Sequence, residues 1–156
     1  MRELREYITP LDPEVQKVLL ETGYDLTRCL DFVCKNLGYE LHFFKFFRLP
    51  YETLRRGKGD CKDMTFVFVS LARNFDPGVF AVLGTYLGFA HAWGAKGNNI
   101  YETLYTSARP VLDPWNYLPF CMLSDQEIIE LWLNSLSDFT SLRRDETAKS
   151  RLMVHG

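Results

Sequence analysis

The chain has 156 residues, a formal net charge of −2 and 47% hydrophobic residues. That is enough apolar material for one sizeable core, and with 12 Phe, 8 Tyr and 3 Trp it argues against disorder. The near-neutral charge gives no sign of a nucleic-acid surface, no apolar run approaches a membrane span, and "MRELREYITP" lacks the apolar stretch of a secretory signal. A single domain over 1–156 is expected, with its core over about 11–136 and a polar tail over 138–156.

The cysteines Cys29, Cys34, Cys61 and Cys121 are expected to stay reduced in a cytoplasmic protein. No CxxC pair or His cluster accompanies them, and no acidic loop has calcium-binding spacing. Neither a metal nor a cofactor is expected. Cys29, Cys34 and Cys121 read as small buried hydrophobes.

"LDPEVQKVLLETG" predicts a helix capped by Asp12, with Pro13 in its first turn and Gly23 at its end. "DLTRCLDFVCKNLG" predicts a second, capped by Asp25 and stopped at Gly38, with a helical apolar period from Leu26 to Leu37. In "YELHFFKFFRLPYETL", Pro50 predicts an extended or turning entry, and His42 among aromatics reads as structural. From Cys61 to about Phe75 the chain is apolar nearly all round, the mark of a central, covered helix. "DPG" is a turn, and "VFAVLGTYLG" predicts a strand. "HAWGAK" and "IYETLYT" predict two strands joined by a tight turn. "PVLDPWNYLP" reads as a Pro-punctuated surface segment. "SDQEIIELWLNSL" predicts a final amphipathic helix opened by a capping box of Ser124 and Glu127. Helices, then a sheet, then a helix give an α+β fold, with the buried helix packed on an antiparallel sheet.

"RRGKGDCKDMTFVFV" places Cys61 at the head of that buried helix. There the unpaired N–H groups and the positive end of the macrodipole favour thiolate, the nucleophilic form. Gly57 and Gly59 allow a sharp turn and close substrate approach. The loop Gly59–Asp60 and the Cys61 N–H form a candidate oxyanion site. Lys58 and Lys62 add positive charge, while Asp60 and Asp63 can cap the first turn. A nucleophile needs a base, and a strand holds the imidazole of His91 in place. Two acids compete to orient it. With the turn centred between Gly97 and Asn98, Glu102 is a diagonal neighbour on the same face. Asp113 needs a wider loop, so Glu102 is preferred and Asp113 kept as the alternative. Read singly, Glu102 is a solvent-facing strand residue and Asp113 a turn former before Pro114.

"PYETLRRGKGDCKDMTFVFVSLARNF" followed by "GFAHAWGAKGNNIYET" resembles the transglutaminase-like cysteine hydrolase superfamily. The resemblance covers roughly residues 28 to 120 and rests on two motifs in the right order. It implies a papain/transglutaminase-like core, with Cys61 as nucleophile and His91 as base. "YET" at 101–103 and "LDP" at 112–114 both resemble the context of the third, acidic member. Where a tryptophan would precede "LPYETL" this chain has Phe46 and Phe47, so the second oxyanion donor is not placed; Tyr39 and Trp93 are candidates.

The implied chemistry is acyl transfer from an amide through a thioester, ending in hydrolysis or amine transfer. The expected partner is a peptide or protein substrate, with no nucleic acid or membrane involved; the oligomeric state stays open. A catalytically silent peptide- or protein-binding module on the same fold is the alternative. Tyr86, Phe89, Trp93 and Trp115 could line an acyl cleft, although each read singly is core packing.

Overall fold

A computed structural model describes residues 2–41 and 47–131. His42, Phe46, the end of the expected last helix and the polar tail lie outside them. A short 3-10 turn, Leu4–Tyr7, leads into α1 (Pro13–Thr22). The Asp12 carboxylate accepts from the N–H groups of Glu14 and Val15, and Gly23 closes the helix. In α2 (Leu26–Asn36), Asp25 accepts from the Arg28 N–H and Leu37 is the C-cap. Gly38 then opens a two-residue strand, β1 (Gly38–Tyr39).

Pro50 corrects the expected extended entry: it opens α3 (Pro50–Arg56). Leu49, before it, is extended at φ −68° and ψ 149°. The restriction that proline places on its predecessor therefore falls on one residue, and its own fixed φ suits a first helical position. β2 (Lys58–Gly59) pairs in parallel with β1 and delivers the chain to α4 (Cys61–Ala72). Every residue of α4 is buried.

Five strands follow: β3 (Phe80–Tyr86), β4 (Phe89–Lys96), β5 (Asn99–Tyr101), β6 (Tyr117–Leu123) and β7 (Ile128–Glu130). They form one antiparallel sheet in the order β5-β4-β3-β6-β7. The β4–β5 turn is centred at Gly97–Asn98, with Lys96 opposite Asn99. The ladder stops at Gly94–Tyr101, so β5 is shorter than "IYETLYT" and Glu102 leaves the sheet.

Two expectations are overturned at the far side of the sheet. The second half of "PVLDPWNYLP" is the start of β6, which pairs with the full middle of β3. Pro119 obscures this strand, yet it sits opposite Gly84 at a register shift, where a missing N–H is tolerated. Residues 124–131 open no helix. The Ser124 N–H donates to the Glu127 carbonyl at 2.9 Å, closing a turn, and Ile128 and Ile129 pair with Leu123 and Met122. The β-branched pair and the open edge of β6 outweigh the capping signal.

α4 fills the space against the even-numbered side of β4. Ala90 and Ala92 are core residues there, and a Cβ on Gly94 would lie 2.7 Å from the Phe68 ring. Small residues on the strand thus make room for Phe68, whose burial is worth about 1.5–3 kcal/mol. Residues of opposite parity, Trp93 and Ala95, belong to a second cluster with Val82 and Tyr117. No described helix is long and apolar enough to cross a membrane.

Candidate active site

The loop before Cys61 is built by its acids. Asp60 is the N-cap of α4, accepting from the N–H groups of Lys62 and Asp63 at 3.1 Å each. Asp63 returns the favour, accepting the Asp60 N–H at 3.1 Å. This reciprocal box satisfies the helix head and fixes the position of Cys61 between its members. Gly59 is required by the same contact: a Cβ there would stand 2.6 Å from that of Asp63. The two lysines expected to add positive charge have other partners. Lys58 pairs with Glu40 at 2.8 Å, and the buried Lys62 ammonium is held by Asp60, 5.2 Å over the Phe47 ring. A buried ammonium needs such a counter-ion.

Cys61 and His91 are 0% exposed and Glu102 is 2% exposed. His91 Nε2 meets Glu102 Oε1 at 2.7 Å. The other oxygen of Glu102 accepts the Leu104 N–H at 3.1 Å, and Oε1 also accepts the Tyr117 hydroxyl at 2.8 Å. Burial pushes the Glu102 carboxyl up, but His91, the Leu104 N–H and Tyr117 together hold it below the ordinary carboxylate range. For His91 burial disfavours the imidazolium. The Glu102 charge and the Cys61 side chain outweigh it and push the imidazole up to about 9. Cys61 thus acts on the ring, although the buried Nδ1 closes no hydrogen bond of regular geometry in this resting arrangement. Loose nucleophile–base contacts of that kind are usual in unliganded sites.

The other sequence candidates separate cleanly. Asp113 accepts from the Tyr86 hydroxyl and from the Asn116 amide at 3.0 Å, and makes no described contact with His91. Trp93 stacks on the His91 ring at 5.9 Å and 29°, with its edge toward Tyr117. Tyr39 lies opposite Gly59 in the β1–β2 pair, with a buried hydroxyl. Trp115 is 78% exposed and packs in no core, while Tyr86 and Phe89 are half-buried. Cys29, Cys34 and Cys121 are free and buried. Burial, then the charge of Glu102, pushes the Cys34 thiol up to about 12. Burial, then the charge of Glu130, pushes Cys121 up to about 12 as well. They remain thiols at neutral pH, which removes them as nucleophiles. Among the described residues no group of three or more His, Cys, Asp or Glu could hold a metal.

Tyr117 is the site residue that sequence reasoning missed. Its position follows from pairing with Tyr86 across β3–β6, and that pairing is hidden when β6 is read as a surface segment. An aromatic residue at the mouth of an apolar "YLPFCML" run is the only local signal.

Among solved structures, the chain is similar to LapG of Legionella pneumophila. The likeness covers 90% of this chain and 84% of that one at 15% identity, with a TM-score of 0.60. Calcium-bound LapG matches over 86% and 98% at 14% identity and TM-score 0.55. EGTA-treated LapG matches over 76% of each chain at 15% identity and TM-score 0.56. LapG has a papain/transglutaminase-like fold, and this chain shares that α+β fold. No protein-family model matches the chain, and no curated protein matches it.

Proposed function

We propose that this protein is a cysteine-dependent acyl-transfer enzyme acting on amide bonds of a peptide or protein, with Cys61, His91 and Glu102 as its triad. The observation that carries this reading is the buried chain of contacts from the head of α4 through His91 to an ionised Glu102. LapG is a transglutaminase-like cysteine protease, and the shared fold supports a peptidase-type activity.

In this mechanism His91 takes the Cys61 proton and stays charged against Glu102. The thiolate attacks the amide carbonyl, and the new S–C bond leaves an oxyanion near the Cys61 N–H. Tyr39, across from Gly59, is the better-placed candidate for the second donor. Collapse breaks the C–N bond, the amine leaves with the His91 proton, and a thioester remains. Water or a second amine then takes the acyl group, returning a proton to the thiolate. Glu102 holds the tautomer that keeps Nδ1 turned to the thiol. Asp113, committed to Tyr86 and Asn116, is left out of the triad.

A second reading, a silent peptide-binding module on the same fold, draws on one observation: Cys61 and His91 are 0% exposed. One experiment separates the two. Wild type and Cys61→Ala are each incubated with a peptide mixture and with a primary amine, and products are read by mass spectrometry. New termini or amine adducts formed by wild type alone support the enzyme. The same products from Cys61→Ala would overturn the triad, and no product combined with an ordinary Cys61 alkylation midpoint near about 8.5 supports the module.

A further inference from the structure

Glu102 is a buried carboxylate on a loop just beyond the end of β5. A loop-borne acid keeps one orientation only if other groups fix it. Two do: the Leu104 N–H on Oε2, which is local to the loop, and the Tyr117 hydroxyl on Oε1, which comes from β6 on the other side of β3. Tyr117 and His91 share the same carboxylate oxygen, at 2.8 and 2.7 Å. Tyr117 itself is clamped, its ring 4.6 Å from Tyr86 and 5.0 Å from Trp93. Tyr86 is tied in turn to Asp113.

We infer that Tyr117 is a positioning residue for the acid of the site: its hydroxyl holds the Glu102 carboxylate aimed at His91 Nε2. This rests on the proposed roles of Cys61, His91 and Glu102.

A hydrogen bond donated to a carboxylate favours its charged form. Removing the donor therefore raises the pH at which Glu102 takes a proton. A neutral Glu102 no longer supports the His91 imidazolium, which no longer supports the Cys61 thiolate. The groups facing Glu102 are His91 from β4, Tyr117 from β6, Cys34 from α2, Tyr105 from its own loop and Tyr86 from β3, whose phenol burial and Asp113 also push up. Cys34, Tyr105 and Tyr117 all have their pKa raised, by burial first and by the Glu102 charge second. They stay protonated across the acid range, so the low-pH limb reports on Glu102, His91 and Cys61.

The test is the pH dependence of iodoacetamide alkylation at Cys61 in wild type, Tyr117→Phe and Tyr86→Phe, with thermal unfolding of each. Phenylalanine keeps the ring packing and removes only the hydroxyl. The low-pH limb should move up by about one pH unit in Tyr117→Phe and stay in place in Tyr86→Phe. A ring with a purely structural role would leave the limb where it is in both. Wild type titrating as an ordinary thiol would defeat the functional reading itself. A depressed wild-type midpoint with an unmoved Tyr117→Phe limb would defeat only the role of Tyr117. Should Tyr117→Phe not fold, 3-fluorotyrosine at position 117 decides: it is nearly isosteric and a stronger donor, so the limb should move down. An unmoved limb there overturns the inference.

Discussion

One strand, β4, carries two kinds of surface. Its even positions, Ala90, Ala92 and Gly94, are small and accommodate the bulk of α4. Its odd positions, His91 and Trp93, hold an imidazole and the ring that stacks on it. Side chains alternate along a strand, so a fixed register supplies both sides at once, and a slip of one residue would exchange them. The same eight residues therefore answer to two demands. Volume governs one side and charge placement governs the other. Substitutions on the two sides should therefore fail in different ways.

The largest effect should come from the odd side. His91→Ala is expected to lower acyl-transfer turnover by about three orders of magnitude or more, while the protein stays folded, because it removes the proposed base. Circular dichroism beside turnover on a cleaved peptide checks both halves. Glu102→Gln should cost about two orders of magnitude through loss of the charge facing His91 Nε2, whereas Asp113→Asn should cost less than about tenfold. Equal losses from the two acids would erase the distinction between a partner of His91 and a brace of Tyr86.

On the even side, Gly94→Val should destabilise by about 2–3 kcal/mol, since even its Cβ meets the Phe68 ring at 2.7 Å. Urea unfolding measures this. The fraction still folded should alkylate at Cys61 with the wild-type pH profile, because Gly94 touches no group of the site. A changed profile would mean that packing and chemistry on β4 are not separable.

Much of this was readable from residue order. Asp12, Asp25 and Gly23 mark helix ends because caps are local. α4 is legible from its apolar run, and the Gly97–Asn98 turn from its residues. Hence Glu102, rather than Asp113, emerges as the neighbour of His91. The long-range partners were illegible. Lys62 looks like free positive charge until its burial with Asp60 is known. Pro119 makes β6 resemble a surface segment, because the bulge that accommodates it depends on Gly84 thirty-five residues earlier (119 − 84 = 35). Losing β6 loses Tyr117, and with it the far support of Glu102. Ile128 and Ile129 directly follow a valid capping pattern, Ser124 with Glu127, and only the exposed edge of β6 decides their state.

The smallest effect sharpens the comparison most, because His91, on the odd side, is the β4 residue that titrates near neutral pH. The pKa of His91 is raised to about 9 in the folded protein, against about 6.5 when unfolded. A group whose folded pKa is raised contributes stability that is complete below the unfolded value and disappears as pH rises through the folded one. Wild type should therefore lose stability between about pH 6.5 and 9. Glu102 runs the opposite way: its folded pKa is lowered, so its contribution holds above the ordinary carboxylate range and fades as pH falls through the folded value. Urea midpoints at about pH 6.5, 8 and 9.5, from the foot of that window to just above it, should fall in wild type. In Gly94→Val they should fall in parallel from a lower start, and in His91→Gln the fall should be shallower. Parallel behaviour of His91→Gln and wild type would show that the imidazolium contributes nothing to the folded state. The charge between Glu102 and Cys61 would then have to be carried by another group.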